Sequence, residues 1–425
     1  MEYFTFNNMP LFMVVLMVVA LLIQPKIGIA RAALVAAFVS LAFNPASIPM
    51  ILGLASKQIF TVIVVMSATT LPVIFILEDG MGEKISAAIV RLCAHRYLHR
   101  VPSSVLLPVI FLPTSMVVAM GLHNIPAIGV LAPLAIVLAK RFSAPIIPVL
   151  AGMLVASNLG GASFAAGDTP AILQRQAFGF DVATFSSAMV PRNLIVLAVL
   201  ITVVTIWSWW PGRHNKTSWT ELYDRLMARD TFDVHACAVP GFNFMRLGAF
   251  TALAAIFGSQ FFSTTATLLV AITIMVIFLA TSKRFMVSTF ILGQETIIAI
   301  IGLFVLAVCV EQTPMMHSAV QAMIQNKLGG VELAAYLVTA AISADGAAAM
   351  LTQLVHTQAN GAYSAAWSLA SGICAGSSML LTSASAGPIL IEVTNRNNVE
   401  LSFRDYATFG VPFSFTMIVI YLLVA

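Results

Sequence analysis

Apolar runs broken by short polar punctuation repeat along almost the whole chain, and many are long enough to cross about 30 Å of hydrocarbon. Taking helices from the runs and boundaries from Pro, Gly and charge gives spans near 11–23, 31–44, 60–77, 104–121, 126–139 and 145–158. Further spans follow near 192–210, 245–259, 262–281, 287–310, 333–345, 347–358, 363–378 and 407–425. Short pieces at 170–174 and 388–393 continue two interrupted spans. The interruptions are polar and glycine-rich: Asn158-Leu159-Gly160-Gly161 through Gly167-Asp168-Thr169-Pro170, and Gly376-Ser377-Ser378 through Thr382-Ser383-Ala384-Ser385-Ala386-Gly387-Pro388. Unpaired backbone survives at membrane depth only where protein or a watery cavity covers it. One such break in each half of a chain points to the substrate site of a transporter built from inverted repeats.

Charge placement sets the expected topology. If 104–139 is a hairpin entering and leaving on one side, loops 24–31, 78–103, 140–144, 211–246, 282–286 and 394–406 share a face. These loops carry 17 of the 21 Lys and Arg residues. Only Lys57, Arg175, Arg192 and Lys327 fall elsewhere. The positive-inside rule then makes that face cytoplasmic and leaves both termini outside. The second half repeats the order of elements from the opposite side. The expectation is an all-α polytopic membrane protein of 10–12 membrane segments: an inverted repeat with two re-entrant hairpins and two broken transmembrane helices. Residues 1–210 form the first repeat, with hairpin 104–139 and broken helix 145–174. Residues 211–243 are a cytoplasmic linker, and 244–425 the second repeat, with hairpin 333–358 and broken helix 363–393.

Composition agrees: 60% hydrophobic and 9% charged residues exclude a soluble globular chain. The first span lacks a basic leader and reads as a retained helix rather than a signal peptide. Residues 81–100, with Arg91, His95, Arg96, His99 and Arg100, read as an amphipathic segment on the membrane surface. Four scattered cysteines show no metal-ligand spacing, and no nucleotide-binding or nucleophile-elbow motif occurs. No enzyme activity, cofactor, resident metal beyond Na+ or nucleic-acid partner is expected; transport without a nucleotide site is expected to be secondary unless a partner subunit supplies an ATPase.

Polar residues at the discontinuities are the candidate chemistry. Asp168 and Asp345 lead, because a carboxylate at mid-bilayer costs at least ~3 kcal/mol and marks ion paths or proton relays. The plainer alternative for Asp168 is a cap on the helix restarting at Thr169-Pro170. His123 and Asn124 lie at the first hairpin tip; the imidazole is a proton carrier or a partner for freed backbone, the amide an ion ligand. Ser343 belongs to the second tip. Asn158, Ser163, Thr169, Ser378, Thr382, Ser383 and Ser385 either ligate an ion or cap helix ends. Gly160, Gly161, Gly167, Gly346, Gly376 and Gly387 are expected to supply backbone at the breaks. Oxygen ligands suit a hard cation, while half-helix N-termini attract an anion, so the breaks alone leave the sign of the substrate open.

Gly160-Gly161 through Gly167-Asp168 resembles the glycine–aspartate motif of NhaD-type Na+/H+ antiporters, and 376–387 is similar to the segment in their second half. The resemblance extends to the wider ion transporter superfamily with arsenite permeases and divalent-anion/Na+ symporters. It implies Na+/H+ antiport by an elevator motion, a homodimer, and residence in a bacterial inner membrane or one derived from it. Departures are Ala165-Ala166-Gly167 for Pro-Ile-Gly, His123 at the first tip, and Gly346 after Asp345. The Ser-Asn-Thr tips of dicarboxylate carriers are missing. Asp345-Gly346-Ala347-Ala348 resembles a hairpin tip of arsenite permeases, which makes arsenite the alternative substrate. From another class, a non-transporting membrane scaffold is the remaining alternative.

Overall fold

The computed structural model describes residues 9–23, 29–54, 82–93, 101–142, 144–164, 168–212, 244–259, 264–281, 329–358 and 362–424, with scattered residues between 64 and 72 and between 298 and 322, and Phe262. Every regular element among them is helical. Helices α1 (Met9–Ile23), α2 (Ile29–Phe43), α3 (Ile48–Leu54) and α4 (Gly82–Cys93) precede α5 (Ser103–Leu122), α6 (Asn124–Arg141), α7 (Ile146–Ser163), α8 (Thr169–Phe178) and α9 (Val182–Gly212). Then come α10 (Phe244–Ser259), α11 (Thr264–Thr281), α12 (Gly330–Ala341), α13 (Ala344–Gln358), α14 (Tyr363–Ser377), α15 (Gly387–Arg396) and α16 (Phe403–Val424). The predicted span 60–77, most of 287–310 and nearly all of the linker 211–243 lie outside the described residues, as does Gly167.

Five helices, α5, α6, α7, α9 and α16, are long and apolar enough to cross a membrane. Their surfaces are the reverse of a soluble protein's. Val109, Val117, Ile206, Phe415 and Leu423 are exposed, while Ser115, Asn124, Ser157, Asn158 and Asn193 are buried. A chain that turns hydrocarbon outward and amides inward is solvated by lipid. It is an all-α integral membrane protein.

Packing depends on small residues. A Cβ at Gly160 of α7 would lie 2.2 Å from the Met116 carbonyl oxygen of α5. One at Gly372 of α14 would lie 2.3 Å from the Glu332 carbonyl of α12, and one at Gly376 2.5 Å from the Tyr336 carbonyl. Backbones approach closely here because nothing stands between them, the usual device where lipid supplies no hydrophobic drive. These contacts revise the expected boundaries. Helix α7 continues to Ser163, so Gly160 and Gly161 lie inside a helix rather than at its break, and Gly376 is likewise a helix-packing residue. Helix α9 begins ten residues before the predicted 192, since Asp181 Oδ1 accepts from Thr184 N at 2.6 Å and starts it in the loop. The turn between α12 and α13 falls at Ile342-Ser343, because Ser343 Oγ accepts from Gly346 N at 3.1 Å and places Asp345 inside the first helical turn.

Two helices of ten residues, α8 and α15, span about 15 Å each, half the hydrocarbon thickness. Helix α8 packs on α13, and α15 packs on α6. A continuous core joins α5–α9 to α12–α16, whereas Ile256 of α10 and Ala271 and Ile274 of α11 form a separate cluster with Val64 and Ala68.

Candidate functional site

Helices α6, α8, α13 and α15 bring their N-termini to one buried region. Asp168 is extended (φ −150°, ψ 156°) and caps α8, its Oδ1 accepting from Thr169 N at 2.8 Å. Pro170 follows in the first turn, where its missing N–H has no intrahelical partner to lose. Gly179, at φ 71°, closes the other end of α8. Asp168 Oδ2 accepts from Asn124 Nδ2 at 3.1 Å, tying the first hairpin tip to the first break. A Cβ at Gly161 would come within 2.8 Å of the Asp168 Cβ, so the glycine makes room for this carboxylate.

His123 links α5 and α6 at φ 74°, ψ 150°, a region that is essentially glycine's own. Its Nε2 lies 3.5 Å from Asp168 Oδ1 and 3.4 Å from Thr169 Oγ1, while Nδ1 has no partner among the described residues. Protonated, the ring is an ion-pair partner for Asp168; neutral, it is a hydrogen-bond partner for Thr169.

The second hairpin meets the second break in a parallel way. Ala344 N donates to the Ser383 carbonyl at 2.9 Å, and Ser383 Oγ donates to the Ala340 carbonyl at 3.0 Å. Asp345 neighbours Ser385 and Thr169 and is near enough to Asp168 for the two carboxylates to interact electrostatically. Its Oδ1, like Ser385 Oγ and Asn124 Oδ1, is buried without a hydrogen-bond partner among the described residues. Gly387 opens α15 where a Cβ would collide with the Leu381 carbonyl, and Gly346 lies in the first turn of α13.

Asn158 spans from α7 to the second break: Nδ2 donates to the Ser377 carbonyl at 3.3 Å and reaches Ser378 Oγ at 3.5 Å. Ser378 Oγ donates to the Cys374 carbonyl, and Thr382 is buried. Ser163 is differently used. Its hydroxyl donates to the Leu159 carbonyl at 2.6 Å and accepts from Asn193 Nδ2 at 2.8 Å. Asn193 in turn accepts from Tyr421 OH at 2.6 Å, so α9 and α16 hold the end of α7 in place.

The structure thus gathers Asp168, Asn124, His123, Thr169, Asp345 and Ser385 in one group, with Asn158 and Ser378 adjoining it. Ser343, Ser383 and Ser163 secure the turns and helix ends around it. Asn193 and Tyr421 escaped the sequence reading because each sits in a largely apolar span away from the breaks. Gln174 escaped it because, in Gln174-Arg175-Gln176 on a short helix, it reads as part of a polar helix end.

Each of the short helices α8 and α15 also meets the far end of the helix it packs on. Lys140 Nζ of α6 donates to the Asn397 carbonyl, just beyond α15, at 2.6 Å. Phe178 of α8 meets His356 of α13 edge to face, their rings 5.0 Å apart.

Helix N-termini carry partial positive charge. At this site that charge faces two resident carboxylates, so the demand for an anion is met from within. What the group then presents is oxygen: two carboxylates, two amide carbonyls and hydroxyls, a donor type that suits hard cations. No cluster of three or more His, Cys, Asp or Glu suited to a tightly held metal occurs among the described residues.

Comparison with protein-family models finds none that matches this chain, and comparison with curated proteins finds no match either. The class defined by fold and composition is an all-α integral membrane protein.

Proposed function

We propose that the protein is a secondary active ion transporter, and that Na+/H+ antiport is the exchange its site supports best. The observation carrying this reading is the pair Asp168 and Asp345, buried from opposite halves of the chain, within electrostatic range of each other, and near acceptor oxygens lacking partners among the described residues. Two neighbouring buried carboxylates need positive charge between them. A proton supplies it in one state and a cation in the other, which makes the two compete for one place. That competition is the basis of antiport. An oxyanion such as arsenite in ionised form would meet repulsion from the same two groups.

In this reading α5–α9 and α12–α16 are two copies of one unit, each a re-entrant hairpin, a broken span and a long final helix, in inverted orientation. Support comes from the matching glycine-to-carbonyl contacts of α7 on α5 and α14 on α12. The exchange of short helices, α8 onto α13 and α15 onto α6, supports it as well. The separate cluster of α10 and α11 suits a scaffold against which the ion-bearing unit moves as an elevator. Such scaffolds pair in homodimers, and the membrane is a bacterial inner membrane or one derived from it, with both termini outside.

The test is purified protein in liposomes with internal pH followed by a trapped dye. Addition of Na+ or Li+ outside is expected to drive proton efflux. Arsenite uptake without Na+-dependent proton movement would replace antiport with the permease reading. Movement of neither solute would leave a membrane scaffold.

A further inference from the structure

Gln174 lies on α8 six residues beyond Asp168, wholly buried, and neither its Oε1 nor its Nε2 has a hydrogen-bond partner among the described residues. It faces a cavity that also takes in Asn158, Asp168, Phe185, Cys374 and Ser377. Asn158 Oδ1 is orphaned too. Three polar atoms of two primary amides therefore line one cavity unpaired, a cost that burial alone does not repay. The free space in this cavity is about 10 Å³. That is room for one water or one bare small cation.

The donor set narrows the occupant. A bare cation would satisfy the two carbonyl oxygens and leave the Gln174 NH2 unpaired. An anion would do the reverse, and would lie beside Asp168. A water offers both donors and an acceptor, and a water bound to a cation at Asp168 is held more firmly than a free one. We infer that Gln174 and Asn158 form a second subsite, beside Asp168, that holds one water of a small monovalent cation and so sets which cations the chain accepts. The inference rests on the cation exchange proposed above and adds to it a selectivity residue. A cation taken up with one water retained loses less hydration, and the amide pair replaces the contacts that water had in solution.

The test uses the purified full-length chain in detergent, with the thermal unfolding midpoint followed as Na+ replaces choline at constant ionic strength. Wild-type protein is expected to be stabilised saturably by Na+. Gln174→Met keeps the volume and removes both polar atoms; it is expected to raise the half-saturating Na+ concentration by about tenfold, the worth of one hydrogen bond. Gln174→Ser, which restores a hydroxyl and adds space for water, is expected to recover part of that loss. A Gln174→Met protein with a higher midpoint in choline and the wild-type half-saturation would overturn the subsite and make Gln174 a packing residue. Absence of any Na+ response in the wild type would instead overturn the exchange itself, and the subsite with it.

Discussion

Asp168 and Asp345 both lie at the start of a helix in the buried group, yet the chain treats them differently. Asp168 stands before its helix as the cap, and its two oxygens are already engaged by Thr169 N and Asn124 Nδ2. Asp345 stands one residue inside its helix, where Ser343 does the capping, and its Oδ1 has no partner among the described residues. The difference separates two tasks that sequence alone merges at Asp168. Asp168 joins the α5–α6 turn to the start of α8, whereas Asp345 keeps one oxygen without a hydrogen-bond partner among the described residues, beside Ser385 and Thr169.

Substitutions at the pair should break the comparison most strongly. Asp345→Asn keeps the shape and removes the charge, so cation-coupled proton flux is expected to fall by about 100-fold or more with an unchanged unfolding midpoint. Asp168→Asn is expected to lose flux to a similar degree, while its retained amide oxygen still caps α8 and limits the stability cost to about 1 kcal/mol or less. Wild-type exchange by a folded Asp168→Asn protein would reduce that residue to a cap and leave Asp345 alone as the titrating group.

Next in size are the glycines that bring helices together. Gly160→Ala and Gly372→Ala each drive a methyl into a carbonyl of the neighbouring helix and are expected to destabilise by about 1–3 kcal/mol in detergent unfolding. Equal losses in the two halves would strengthen the repeat reading; tolerance of one alone would weaken it. A smaller and opposite effect is expected at the first hairpin tip. His123→Gly relieves a backbone at φ 74° and is expected to raise stability by about 1 kcal/mol or more, whereas His123→Ala keeps the strain.

The smallest effect compares Asp168 with Asp181, a carboxylate that caps the next helix from water. Backbone hydrogen bonds, Thr184 N first, hold the Asp181 carboxyl below the usual carboxylate range. A lowered folded value means its contribution is present above the ordinary carboxylate range and is lost as pH falls through that lowered value. Acid unfolding of wild type and Asp181→Asn should therefore converge at low pH, with only a slight separation near neutrality. Persistent separation at low pH would show that the side chain acts through packing instead.

The sequence made the class of protein plain, because hydropathy over twenty residues records the thickness of the bilayer directly. It also put Asp168, Asn124 and His123 at helix ends, since polar residues in apolar runs have few other reasons to be there, while Asp345, read at a hairpin tip, lies in the first turn of α13. It was less informative about helix ends. Gly160 and Gly161 read as breakers, yet they serve close packing inside α7, and periodicity does not distinguish the two uses of glycine. Asn193 and Tyr421 support the site from distant helices, and Gln174 faces its cavity from a short amphipathic one. Such roles follow from which helices pack together, and no local pattern encodes that.

Competition between a cation and protons for the Asp168–Asp345 pair is tested most directly without transport. Na+ is added to purified protein in weakly buffered detergent solution, and the pH of the medium is recorded. Antiport at this site predicts release of protons that saturates with Na+ and disappears in Asp345→Asn. Saturable Na+ binding with no proton release from the wild-type protein would contradict it.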